Sequence, residues 1–478
     1  MFIAPTGEML TDDLDERLRA IVGIEGMIER ETELERYCVS FDSTFRGSAR
    51  YVVRPSCTAQ VSAIVAACRR IGVPIVPQGG NTGLAGGAQP TDPRSVIISL
   101  ERMQALRDID PRNDTVTVEA GMTLASLQAH AAGVDRLFPL SLASEGSCQV
   151  GGNLSTSAGG TQVLRYGNMR SLALGIEVVF PDGRVWDGLR GLRKDSTGYD
   201  LKQLFIGAEG TLGIITAATL RLFPRPRDVA TALVGVPSPA AALDLLHLTR
   251  AQLGEGLNAF ELMRRECLQW VLVALPGSTS PFAEEYPWYS LIEATGQGEP
   301  GGLRTSMERA LSEAMDKGLV LDGVLANSEA QRRSLWALRE GQAEAQKAGG
   351  AGIKHDVSVP VSRVPEFIAL ADAALAKAFP GIRPFAFGHI GDGNIHYNPM
   401  PPADVDPRAF AERREEINRV VHDIVANLGG SISAEHGIGQ LRLSEIAHYK
   451  SPTELSAFRA LKKAFDPENL MNPGKLLT

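Results

Sequence analysis

The sequence predicts an α+β protein of two or three domains, on three observations. At 478 residues the chain is longer than one hydrophobic core supports. Its first half alternates short β-branched runs with helical patterns and glycine-rich loops, up to a proline-rich boundary at Pro224-Arg-Pro-Arg-Asp228. Beyond that boundary, long helical patterns are mixed with a few strands and one pronounced hairpin.

Residues 1–47 read as helical, from an acidic start to Glu33-Leu-Glu-Arg36. Tyr51-Val-Val53 reads as a strand, and Thr58 as the cap of a helix whose apolar positions 61, 64, 65 and 68 share one face. Val73–Val76, Val96–Ser99 and Thr115–Glu119 read as strands, and Leu124–Ala132 as a helix. Ile176–Phe180 and Val185-Trp186 form a hairpin about Pro-Asp-Gly-Arg, and Leu212–Thr216 and Thr219–Phe223 are two more strands. In the second half, Ala230–Val236 and Trp288–Glu293 are strands. Ala240–Leu253, Gly302–Lys317, Glu329–Lys347, Pro407–Leu428 and Pro452–Phe465 are helices.

Composition narrows the function. Hydrophobic content of 44% and charged content of 22% are those of a globular protein. A net charge of −8 argues against nucleic acid as a partner, and an anionic substrate would have to be held by a few local cations. No apolar run reaches the roughly 18–20 residues of a membrane span. The first residues lack a secretory signal and are too acidic for a mitochondrial presequence. Five scattered cysteines without CxxC spacing favour reduced thiols, so a cytoplasmic location is expected.

The run Phe385-Ala-Phe-Gly-His389-Ile-Gly-Asp-Gly-Asn-Ile-His396-Tyr-Asn398 carries the most chemistry. An Asp-Gly between apolar residues predicts a tight turn at 392–393, which sets His389 directly opposite His396, with Asn398 on the same face. Two facing imidazoles can grip one divalent metal. Ser433-Ala-Glu435-His436-Gly437-Ile-Gly439 is the obvious source of a further ligand. Two glycine clusters precede these segments: Gly79–Gly87, and Ser144–Gly160 with its Gly151-Gly-Asn153 core. Such loops bring backbone amides close to phosphate oxygens. Neither contains GxGxxG or GK[ST], so they are neither a Rossmann nor a P-loop.

The motifs Pro77-Gln-Gly-Gly-Asn-Thr-Gly83, Gly151-Gly-Asn153, the run Arg193–Thr216, Gly388–His396, Ser433–Gly439 and Asn472-Pro-Gly-Lys475 resemble those of FAD-linked oxidoreductases of the vanillyl-alcohol-oxidase fold. The branch they are most similar to is the D-2-hydroxyglutarate dehydrogenase and flavin-type D-lactate dehydrogenase group. The resemblance runs in order from about residue 50 to the C-terminus. It implies a two-lobed FAD-binding domain over 1–225, a substrate or cap domain with an antiparallel sheet over 226–430, and a segment, 431–478, that returns to the FAD domain. It places FAD on Gln78, Gly79, Gly80, Asn81, Thr82, Gly83, Gly146, Ser147, Gly151, Gly152, Asn153, Thr156, Gly159 and Ile214. Covalent members of the fold often carry the flavin on a histidine in the first loop; position 81 is asparagine, so FAD is expected to be non-covalent.

The same resemblance puts a divalent metal, usually zinc, on His389, His396 and Glu435. It makes His436 the general base, and Arg339, Lys354 and Asn398 the substrate contacts. Ala343 departs from the family, in which some 2-hydroxyglutarate enzymes have threonine there. The implied reaction is oxidation of a D-2-hydroxy acid by hydride transfer to flavin N5, with D-2-hydroxyglutarate first and D-lactate or a glycolate-type oxidase subunit as alternatives. The alkylglycerone-phosphate synthases share the fold but are disfavoured by the metal set. A separate electron acceptor (electron-transfer flavoprotein, quinone or cytochrome) is implied, and a homodimer is compatible.

Overall fold

The structure, a computed structural model, describes residues 8–348, 350 and 352–477, and side chains from residue 14 onward. Residues 1–7 of the expected N-terminal helical region lie outside the described residues. The chain forms two units, 1–159 with 168–224 and 435–478, and 160–167 with 225–434.

The first unit holds two main sheets. One is mixed, in the order Met27–Ile28, Tyr51–Val53, Val96–Ser99, Ile75–Gln78, with the last two neighbour pairs parallel. The helix Thr58–Arg70 buries Val61, Ile64, Val65 and Cys68 in a core shared with Val53, Ile75, Val96 and Ile98. The other sheet is antiparallel, in the order Leu106–Asp110, Thr115–Glu119, Ile214–Arg221, Ala173–Val179, Val185–Gly188. The two strands expected over 212–223 are therefore one, Ile214–Arg221. Thr58 does not cap its helix: Cys57 occupies that place without a side-chain bond, and Thr58 Oγ1 donates to Glu177 at 2.6 Å. Residues 27–28, inside the stretch expected to be all helical, are a strand.

The second unit is a seven-stranded sheet, antiparallel throughout, in the order Asp322–Leu325, Asp228–Val236, Trp288–Gly296, Leu257–Arg264, Arg383–His389, Asn394–Met400, Asp356–Ser358. Both faces are covered, so its strands are apolar on both sides rather than alternating with polar residues. On one face Ala232, Val234, Phe260 and Ile292 pack with the helices Pro239–Leu253, Gly302–Asp316 and Val364–Ala378. On the other, Leu233, Met263, Leu291 and Phe387 pack with Arg265–Ala274 and Glu329–Glu340. The helices expected over 329–347 and 407–428 are each broken in two, at Gly341 and Arg413. Among the described residues no helix is long and apolar enough to cross a membrane.

Candidate active site

In the first unit the glycine loops wall a cavity. The strand Ile75–Gln78 delivers Gln78–Gly83 to one side, and the short helix Val150–Thr156 delivers Gly151, Gly152, Asn153 and Thr156 to another; Ile214, Glu209 and His436 complete the lining used here. Of the expected FAD residues, Gly146, Ser147 and Gly159 do not line this cavity. Ser147 acts from behind: a Cβ on Gly80 would lie 1.9 Å from its carbonyl oxygen, so only glycine lets the two loops close on each other. Gly152 is the opposite case, since a Cβ there meets nothing within 4 Å and would enter open space.

Gln78 and Asn81 of the wall are turned to the protein. Gln78 Nε2 donates to the carbonyls of Tyr37 and Ala88 at 2.8 and 3.0 Å. Asn81 sits at φ 55°, a left-handed conformation that asparagine tolerates, with Nδ2 donating to the carbonyl of Val39 at 2.8 Å and Oδ1 accepting from Gln89 at 2.6 Å. Backbone surface is thus what the cavity offers to an elongated, phosphate-bearing group, and the donor chemistry fits FAD.

His436 reaches this wall from a loop, so it and Glu435 are not held to the opposite faces that neighbours on a strand take. Glu435 Oε1 and His436 Nε2 lie 3.8 Å apart. Glu209 clamps the loop: its two oxygens accept from the amides of Ile438 and Gly439, each at 2.7 Å. Gly437 has φ 79°, and a Cβ on it would come within 2.8 Å of Glu209 Oε1, so conformation and clamp both demand glycine. Burial pushes the Glu209 carboxyl above its ordinary value, against the pull of the two amides and of the charges of Arg442 and Lys475. Lys475, from the Asn472-Pro-Gly motif, is itself lowered to about 8 by burial.

In the second unit the hairpin is present but its register is not the expected one. His389 pairs with Asn394 and Phe387 with His396, so the turn takes four residues, Ile390–Gly393, instead of two. The amides of Asp392 and Gly393 both donate to the carbonyl of His389, at 3.1 Å each, which closes the wider turn. A shift of two residues keeps side chains on the same face, so the histidines are diagonal neighbours with ring centroids 5.6 Å apart. Asp356 is the direct cross-strand partner of His396, with Oδ1 3.8 Å from Nδ1. Ala434 donates its amide to the Asp356 carbonyl at 3.1 Å, and Glu435 is the next residue in the chain.

Arg339 and His389 share one buried carboxylate. Glu261 Oε2 accepts from Arg339 Nε and Oε1 from His389 Nδ1, both at 2.7 Å, and the Glu261 side chain is 1% exposed. Burial would raise this carboxyl, but electrostatic attraction to the neighbouring His389 and Arg339 and the hydrogen bonds from them hold it below its ordinary value. Arg339 also stacks on Phe387, 4.9 Å from the ring centroid. Asn398 is buried and occupied by the protein: Oδ1 accepts from the His355 amide and Nδ2 donates to Gln346 Oε1, both at 2.9 Å. Lys354 is half-buried, between Ile353, whose amide donates to the Pro399 carbonyl, and His355, whose amide donates to Asn398.

A cavity walled by glycine backbone, with a histidine in its wall, fits the class that the motifs resemble, the flavin-dependent oxidoreductases of the vanillyl-alcohol-oxidase fold. Comparison with known proteins agrees. The description "FAD binding domain" matches residues 49–188, and "FAD linked oxidases, C-terminal domain" matches residues 225–476. The chain belongs to the FAD-linked oxidase family, and it is an FAD-dependent dehydrogenase. It is similar to the mitochondrial D-2-hydroxyglutarate dehydrogenase of Bos taurus, 38% identical over 99% of this chain and 85% of the relative. It is also similar to the D-2-hydroxyglutarate dehydrogenase of Xanthomonas citri pv. viticola (37%, 93% and 92%) and to a putative mitochondrial D-lactate dehydrogenase of Schizosaccharomyces pombe (36%, 96% and 88%). Among solved structures, p-cresol methylhydroxylase with substrate bound has a TM-score of 0.78 at 18% identity, covering 98% of this chain and 97% of that one. An alkyldihydroxyacetonephosphate synthase has a TM-score of 0.74 at 19% identity, covering 96% of this chain and 86% of that one. At these identities the structures speak for the fold alone.

Sequence reading passed over Glu261, Glu209 and Asp356. Asp356 stands two residues after Lys354, and Glu209 lies inside the Arg193–Thr216 motif; each was in view without a role. Glu261 had no signal beyond being an acidic residue in an apolar run, Ala259-Phe-Glu-Leu-Met263.

Proposed function

We propose that the enzyme oxidises a D-2-hydroxy acid, D-2-hydroxyglutarate in the first place, to the 2-oxo acid, with FAD bound non-covalently and a divalent metal, zinc by resemblance, held by His389, His396 and Glu435. The observation that carries the reading is His436 in the wall of the cavity that fits FAD. Bound there, FAD supplies the hydride acceptor, and a metal supplies a Lewis acid for the substrate oxygens. His436 takes the hydroxyl proton as general base, the role a neutral imidazole nitrogen fills by accepting it. Arg339, with Nε committed to Glu261, presents its two Nη nitrogens to a carboxylate. Lys354 completes the substrate contacts, while Asn398, expected to touch substrate, instead spends its amide on the His355 backbone and Gln346; Asp356 is a second carboxylate suited to the metal. Electrons then pass to a separate acceptor.

The flavin part is tested by filling its cavity. Gly152→Leu is expected to leave less than about a tenth of the wild-type flavin on the purified protein, because about four carbons are added where the cavity is open. Acid precipitation of wild type is expected to release all FAD into the supernatant. Full occupancy in the variant, or a yellow pellet from wild type, overturns the corresponding assignment.

The substrate is tested by stopped-flow flavin reduction. D-2-hydroxyglutarate is expected to exceed D-lactate in kcat/KM by about tenfold or more, the worth of one charged hydrogen bond. D-lactate is the second reading, favoured by two observations: Ala343 offers no hydroxyl, and Glu261 already neutralises one of the two cations that a dicarboxylate would meet. Equal efficiency or a preference for lactate selects it.

A further inference from the structure

We propose that Glu261 is a positioning residue that sets both the metal-facing nitrogen of His389 and the orientation of Arg339, so that one buried carboxylate aligns the metal and the substrate anchor; this rests on the proposed roles of those two residues. Three separate elements converge on it. Glu261 lies on the strand Leu257–Arg264, where the register Leu262↔Gly388 brings it level with His389 on the adjacent strand. Arg339 comes from the last turn of the helix Glu329–Glu340.

An ionised carboxylate 1% exposed is expensive to bury, and it is kept here by two charge-assisted bonds of 2.7 Å. As acceptor to Nδ1, it requires the proton of His389 on that nitrogen, which makes Nε2 the lone-pair nitrogen that a metal needs. As acceptor to Arg339 Nε, it holds the planar guanidinium by its Nε edge, which leaves the edge formed by the two Nη groups for the fork geometry a carboxylate takes. Packing on Phe387 fixes the plane of that guanidinium. No other carboxylate bonds both side chains among the described residues.

The test is Glu261→Gln, which keeps the shape but removes the charge and one acceptor. Zinc affinity is measured on FAD-loaded protein by competition with a colorimetric chelator, together with FAD content and steady-state kinetics. Zinc binding is expected to weaken about 10–100-fold, the usual cost of losing an outer partner of a histidine ligand, with KM for the hydroxy acid raised and FAD content unchanged. His389→Ala is run beside it. If His389→Ala binds zinc as wild type does, the ligand assignment of the proposed function fails. If His389→Ala loses zinc but Glu261→Gln holds it at wild-type affinity, the positioning role is overturned. Should Glu261→Gln not fold by circular dichroism, Glu261→Asp takes its place under the same criterion, since it keeps the charge but cannot reach both partners at 2.7 Å.

Discussion

His436→Ala is expected to slow flavin reduction by the hydroxy acid by roughly 10²–10⁴, the usual worth of a positioned general base. FAD content is expected to stay at the wild-type level. The cavity is walled mainly by backbone of the two glycine loops, and the loop carrying His436 is fixed by the Glu209 carboxylate through the amides of Ile438 and Gly439, not through the imidazole. The measurement is the single-turnover bleaching of the flavin in a stopped-flow instrument. A variant that bleaches at the wild-type rate removes His436 from the proton transfer. A variant that arrives without flavin shows instead that the histidine matters to the cavity.

Chelation is expected to lower turnover by at least about a hundredfold while FAD remains bound, with activity returning on addition of zinc, manganese or cobalt. The cavity glycines and the histidine hairpin are different residues on different strands, so one group can be lost without the other. His396→Ala is expected to reproduce the chelated state, with no rescue by added metal, because it removes one of the two histidines given to the metal. Metal content by plasma emission, beside the flavin absorbance, checks both. Undiminished activity in a metal-free sample would sink the roles given to His389, His396 and Glu435.

Much of the fold was legible because local signals and the final structure agree. Tyr51–Val53, Val96–Ser99, Thr115–Glu119 and the helix Pro452–Phe465 stand where periodicity and capping residues put them. The strand Leu257–Arg264 was not read: it is buried on both faces, and a sheet covered on both sides erases the alternation by which strands are recognised. The breaks at Gly341 and Arg413 were missed for a related reason, since the apolar period continues across them.

The sequence by itself determined the chemistry available: glycine loops for a phosphate-bearing cofactor, paired histidines at a turn, a histidine in a glycine-flexed loop, and, through the family resemblance, two cations for a substrate. Only the tertiary structure decided how those groups are used. The hairpin's register follows from its partners on both sides, which place Phe387 opposite His396 and Asp356 beside it, overriding the local preference of Asp-Gly for a two-residue turn. The pairing of Arg339 with Glu261 joins residues 78 apart, and that of His389 with Glu261 joins residues 128 apart. A carboxylate that deep inside the sheet is charged only because the fold brings both donors to it, and that balance of burial against distant partners has no signature in local sequence.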